Sequence, residues 1–204
     1  MQSASGIILA GGKGSRINKN KALITLPDGK TLIQKCMDDL KKVFTQILIA
    51  TNQKAFYRDY DACVVEDLIK NRGPLGGIFT GLCYSTSYYN FVIGCDMPFL
   101  QIGLIKLLLE KCEGQDVIIP EIDAEVEPLF AVYSKNCLPV IFDHLQRRDL
   151  KIRHVLTKLN VKKIGEKEID AVDPKRLSFF NINTSDDLKK AQGLLAQTSN
   201  SGCL

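Results

Sequence analysis

The residues best suited to chemistry stand directly after apolar runs. Ile7, Ile8 and Leu9 lead into Ala10, Gly11, Gly12, Lys13, Gly14, Ser15 and Arg16, with Lys21 following. Glycines accept positive φ and leave the backbone bare, so N–H groups at 11 to 15 can converge on a phosphate chain lying on the loop. Arg16 and Lys21 add the full charges that amide dipoles lack. Asp67 and Asp96 close two later apolar runs, Ala62 to Glu66 and Phe91 to Gly94. A carboxylate facing a basic phosphate loop suits a magnesium-bound nucleotide, which needs hard oxygen ligands with phosphates and water completing the shell. Each feature also has a plainer alternative: a glycine-rich surface turn with solvated lysines, and an aspartate capping the next helix. A Walker A loop is excluded, because the Gly-Lys-Ser/Thr step falls on Arg16 or Ile17. The dinucleotide fingerprint fails as well, since its third glycine falls on Ile17.

Strands alternating with helices must position these residues. Thr31 to Gln34 fits a capping box, and Leu32, Ile33, Cys36, Met37, Leu40, Val43 and Phe44 recur at helical spacing. Gln46 to Ala50 reads as a strand ending in Thr51 and Asn52, with a short helical piece at Lys54 to Tyr57 before the strand at Ala62 to Glu66. Asn71 to Gly81 reads as a second glycine-rich loop leading into a helix. A helix at Gly103 to Cys112 follows Pro98. Further strands are expected at Val117 to Pro120, Leu129 to Tyr133 and Phe179 to Asn183, and helices at Asn136 to Gln146, Ile152 to Leu159 and Thr184 to about Leu195. This alternation implies an α/β fold with a parallel sheet covered on both faces, and places Gly11, Thr51, Asp67 and Asp96 at the carboxyl edge where ligands collect. The acids Glu121, Asp123, Glu125 and Glu127 read as a solvated hairpin face.

The 204 residues, 45% of them hydrophobic, suit one domain over 1–196 with a flexible tail at 197–204. A net charge of +4, spread among acids, argues against a nucleic-acid partner but not against small polyanions. No apolar run approaches the roughly twenty residues of a membrane span, and the start lacks a signal-peptide pattern, so a cytoplasmic setting without membrane partners is expected. Seven irregularly spaced cysteines without a C-x-x-C pair read as reduced core residues, with Cys95 notable only for adjoining Asp96. His144 and His154 have no evident partner in sequence and read as surface or half-buried residues.

LAGGKGSR at Leu9 to Arg16, Lys21, Glu66 and Asp67, GPLGGI at Gly73 to Ile78, GCDMPF at Gly94 to Phe99, EPLFAVY at Glu127 to Tyr133 and FFNINT at Phe179 to Thr184 together resemble one family. They are similar to the molybdenum cofactor guanylyltransferases, the MobA-type members of the nucleotidyltransferase superfamily, over nearly the whole chain. The resemblance implies a three-layer Rossmann-like nucleotidyltransferase fold with a mostly parallel central sheet. It also implies transfer of GMP from GTP to molybdopterin, normally carrying molybdenum, with release of pyrophosphate and dependence on Mg2+. Leu9, Ala10, Gly11, Gly12, Lys13 and Gly14 would contact the nucleotide, Lys21 its phosphates, Asp67 would join that site, and Asp96 would hold magnesium. Arg16, Lys21 and Asp96 would be the catalytic group, and Asn181 and Asn183 would lie beside the pterin. Proteins of cofactor biosynthesis and molybdoenzyme chaperones are the implied partners.

Two departures stand out. Ile17, Asn18 and Asn20 replace the Met-Gly and Asp that often flank the loop in relatives, and Ala50 stands where many carry asparagine, leaving Thr51 or Asn52 to take that contact. Gly11, where relatives using CTP tend to carry alanine, favours guanine by the same analogy. The rival readings are CTP:molybdopterin cytidylyl transfer, a sugar-1-phosphate nucleotidyltransferase, and a non-catalytic nucleotide-binding module.

Overall fold

The computed structural model describes residues 3–11 and 21–200. Its strands, among the described residues, join one sheet. They are β1 (Ala4–Leu9), β2 (Ile47–Ala50), β3 (Cys63–Val65), β4 (Tyr89–Gly94), β5 (Val117–Ile122), β6 (Glu125–Val126), β7 (Phe130–Ser134) and β8 (Val161–Ile164). The order is β3-β2-β1-β4-β7-β5-β6, with β8 beside β5. β3, β2, β1 and β4 run parallel, as do β5 and β8, while β7 is antiparallel to both β4 and β5. Reversal of β7 brings its amino end to the edge where the parallel strands end.

The helices are α1 (Leu32–Leu40), α2 (Gly73–Tyr84), α3 (Ile102–Glu110), α4 (Cys137–Gln146), α5 (Ile152–Leu156), α6 (Glu166–Val172) and α7 (Ser185–Asn200). Side-chain alternation along β1 sorts them into layers. Ile8 packs with Ile33, Met37 and Leu40 of α1 and Leu104, Ile105 and Leu108 of α3. Ile7 and Leu9 face Leu75, Ile78 and Leu82 of α2 and Ile141 and Leu145 of α4. This is a three-layer, mostly parallel α/β architecture. α7 closes a smaller cluster through Ala191, with Leu26, Leu32 and Ile182.

Local signals account for several elements. The Thr31 side chain accepts the Gln34 N–H at 3.3 Å, and the Gln34 side chain accepts the Thr31 N–H at 2.8 Å, so the capping box forms. Lys54–Tyr57 forms a short 3-10 turn. At the last helix, Thr184 and Asp187 exchange backbone and side-chain hydrogen bonds in the same way. α7 extends to Asn200, past the expected end near Leu195. No helix among the described residues is long and apolar enough to cross a membrane.

Four expectations need correction. The glycine-rich segment is helix from Gly73 rather than loop, because α2 must lie directly on the sheet. A Cβ on Gly81 would sit 2.5 Å from Cγ2 of Ile7, and one on Gly77 would sit 3.0 Å from Cδ2 of Leu9. The expected strand at Phe179 to Asn183 is a 3-10 turn at Leu177–Phe179 followed by irregular chain. There Asp173 accepts the N–H groups of Leu177 and Ser178 at 3.1 and 2.9 Å, and Arg176 takes left-handed φ of 51° while binding Glu166 and Asp170. β8 and α6 were not anticipated: Lys162 and Lys163 interrupt the apolar run of an edge strand. Finally, both histidines do have a partner, since Nδ1 of His144 and of His154 lies 3.1 and 2.9 Å from Asp149.

The carboxyl edge as a candidate active site

The carboxyl edge of the parallel strands gathers most of the candidate residues, beginning with the end of β1. Leu9 and Ala10 are buried there, and their backbone groups are largely committed: the Leu9 carbonyl accepts from Cys95 N–H at 3.2 Å and Ala10 N–H donates to Ala50 at 3.0 Å. Gly11, which follows them, is exposed. Gly12, Lys13, Gly14 and Arg16 lie outside the described residues.

Beyond β2 and β3, Asn52 donates to Oδ2 of Asp67 at 2.6 Å. Thr51 is buried and its hydroxyl accepts the Gln53 N–H, so Asn52 rather than Thr51 faces the edge. Burial pushes the Asp67 carboxyl above the usual aspartate range, opposed by the Asn52 hydrogen bond and reinforced by Glu66. Asp67 also stands 3.9 Å from the position a Cβ would take on Gly77, so the bare face of α2 leaves it room.

At the end of β4 lies a second group. Nζ of Lys21 is 2.8 Å from Oδ1 of Asn183 and 3.5 Å from Oδ2 of Asp96. The backbone ties these distant segments together, since Ile182 N–H donates to the Asp96 carbonyl at 2.9 Å. Asp96 does not cap α3; Gln101 occupies that position. Its Oδ1 instead folds over Gly94, where a Cβ would approach to 2.8 Å. Asn181 stays apart, donating to the Phe179 carbonyl at 3.3 Å. Cys95 is buried and its thiol is pushed up to about 12, chiefly by burial and then by Asp96, as suits a core cysteine.

The donor set fits magnesium. Asp96 and Asn183 offer hard oxygens that already hold a cation, the Lys21 ammonium, between them. Among the described residues no group of three or more His, Cys, Asp or Glu side chains could hold a metal by itself. A magnesium ion bound through one carboxylate and its substrate's phosphates needs no such group. A partly exposed ion pair such as Lys21–Asp96 contributes only about 0–1 kcal/mol, so an arriving polyphosphate can rearrange it.

Sequence reasoning missed one residue of this edge. Glu127, assigned to a solvated hairpin, is half-buried beside Asp96: burial first and the Asp96 charge also push its carboxyl up, against a hydrogen bond from Leu129 N–H. The available signal was its place immediately before the apolar run of β7. In a reversed strand the preceding residue, not the following one, reaches the ligand edge.

A model of the MobA-like NTP transferase domain matches residues 6–163. A protein named molybdenum cofactor guanylyltransferase from Desulfosudis oleivorans is 39% identical over 96% of this chain and 97% of its own length. A probable molybdenum cofactor guanylyltransferase from Pelotomaculum thermopropionicum is 35% identical, covering 99% and 98%. The crystal structure of molybdopterin-guanine dinucleotide biosynthesis protein A from Archaeoglobus fulgidus superposes with a TM-score of 0.85 at 29% identity, covering 95% of this chain and 99% of that one.

Proposed function

The chain belongs to the MobA-like NTP transferase family, and from that membership we propose that it transfers GMP from GTP to molybdopterin, yielding molybdopterin guanine dinucleotide and pyrophosphate. The observation carrying this reading is the convergence of Lys21, Asp96 and Asn183 at the centre of the sheet edge. Beside it, the Asn52–Asp67 pair and exposed Gly11 supply a nucleotide half. Gly11 and the names of the full-length relatives favour guanine over cytosine.

The pterin's terminal phosphate is already ionised at neutral pH and attacks the α-phosphorus of GTP in line, so no protein nucleophile is required. Lys21 moves from Asp96 to the polyphosphate and, with Arg16 and the amides of the glycine loop, stabilises charge on departing pyrophosphate. Asp67 and Asn52 orient the nucleoside. Asn183 holds the Lys21 ammonium before substrate arrives, and Asn181 holds the turn that delivers Asn183, adjoining the pterin. Asp96, with Asn183 once Lys21 has moved, would hold magnesium, which would supply charge neutralisation for the reacting phosphates. The proposed setting is the cytoplasm, with residues 1–196 acting as one domain and cofactor-biosynthesis proteins or molybdoenzyme chaperones as partners.

Pyrophosphate release by the purified chain with magnesium and GTP, CTP, ATP or UTP, with and without molybdopterin, tests the proposal. Release with GTP that requires the pterin is expected. Release with CTP alone would overturn the choice of nucleotide, and pterin-independent release would overturn the acceptor.

A further inference from the structure

Four acids lie between Glu121 and Glu127, and their partners and exposure separate one from the rest. Glu121 pairs with Lys163 at 2.6 Å and Glu125 pairs with Arg153, while Asp123 is exposed to solvent. Of these four, only Glu127 is half-buried with no ion pair to another described residue. Its Oε1 accepts the Leu129 N–H at 3.3 Å, which fixes the carboxylate but leaves most of its acceptor positions unfilled. Gly94 N–H donates to the Leu129 carbonyl at 3.1 Å, and Glu127 N–H donates to Pro120 at 3.1 Å, so this turn crosses the end of β4 next to Asp96.

The sheet order decides which substrate this carboxylate meets. Gly11, Asn52 and Asp67 follow β1, β2 and β3, whereas Glu127 lies across β4, on the β7 side. We propose that Glu127 is a specificity-determining residue for the acceptor, its carboxylate accepting the paired N–H donors of an aminopyrimidinone edge such as a pterin presents. The inference rests on the guanylyl-transfer reading above and assigns the acceptor's recognition within it. A half-buried carboxylate lacking a cation carries a desolvation cost, and two charge-assisted hydrogen bonds from a bound ring relieve it. Guanine carries the same donor edge, so the test must separate the two substrates.

Steady-state pyrophosphate release is measured for the intact chain and its Glu127→Gln and Glu127→Asp variants, varying GTP and molybdopterin separately. Binding of free pterin is followed in parallel by its own fluorescence. The Gln variant keeps an oxygen for Leu129 N–H but loses the charge; KM for the acceptor should rise about tenfold and pterin affinity fall equally, with KM for GTP unchanged. The Asp variant keeps the charge one methylene short and should fall between. Unchanged pterin affinity in folded variants would overturn the role of Glu127 whatever the protein does with GTP, as would a rise confined to the KM for GTP. Loss of pterin affinity in the Gln variant of a chain that transfers nothing from GTP would keep the acceptor site and refute guanylyl transfer instead.

Discussion

The two halves of the sheet edge are built by different means. On the β1–β3 side, the candidate residues follow parallel strands, and Asn52 and Asp67 meet across neighbouring strands at 2.6 Å. On the β4–β7 side, Lys21, Asp96, Glu127 and Asn183 come from four separated segments, held by one bond from Ile182 to Asp96 and another from Gly94 to Leu129. The first half repeats a local rule of parallel sheets. The second depends on a reversed strand and on a late turn clamped by Asp173 and Arg176. On the proposed reading, a fixed nucleotide half sits beside an acceptor half whose parts vary independently.

Substitutions can break that division, and the largest effect belongs where the halves meet. Asp96→Asn should lower turnover on the order of a hundredfold or more while melting temperature and circular dichroism stay near those of the parent, because charge is lost where phosphates converge. Full activity in that variant would remove Asp96 from the reaction. Lys21→Ala should slow transfer by about tenfold to a hundredfold and weaken GTP binding, measured by calorimetry, if Lys21 serves both substrates' phosphates as proposed.

A smaller effect sharpens the nucleotide half alone. Asp67→Asn should raise KM for GTP by about fivefold, leaving that for the acceptor unchanged, as expected for one charge-assisted hydrogen bond. On the proposed reading the ionised carboxylate accepts from nucleotide donors, and burial raises its pKa. GTP binding should therefore weaken as pH falls through that raised value, at higher pH than an ordinary aspartate would give. The acid limb should disappear in the Asn variant; a limb unchanged by the substitution would assign it to another group. Gly81→Ala touches neither half. Its methyl would collide with buried Ile7, so unfolding by urea should show a loss of about 1–3 kcal/mol with both KM values intact.

The same contrast explains what the sequence could express. The capping box at Thr31 and Gln34, the turn at Lys54–Tyr57 and the placing of Asp67 and Asp96 after apolar runs are local and legible. Phe179 to Asn183 carries the composition of a strand, yet Asp173, Arg176, Glu166 and Asp170 bend it into a turn through contacts that no short window contains. Glu127 was hidden by its acidic neighbours, because only the antiparallel pairing of β7 with β4 turns the residue before the strand toward Asp96. Asp149 likewise joins two histidines only once the α4–α5 connection is folded.

On the proposed reading, the two halves bring GTP and a pterin phosphate together for direct transfer. Incubating the chain with magnesium, molybdopterin and GTP labelled with radioactive phosphorus at either the α- or the γ-phosphate tests it most directly. Label from the α position should appear in the pterin product, and label from the γ position in free pyrophosphate. Label retained covalently on the protein, or γ label in the pterin product, would rule out direct transfer of GMP.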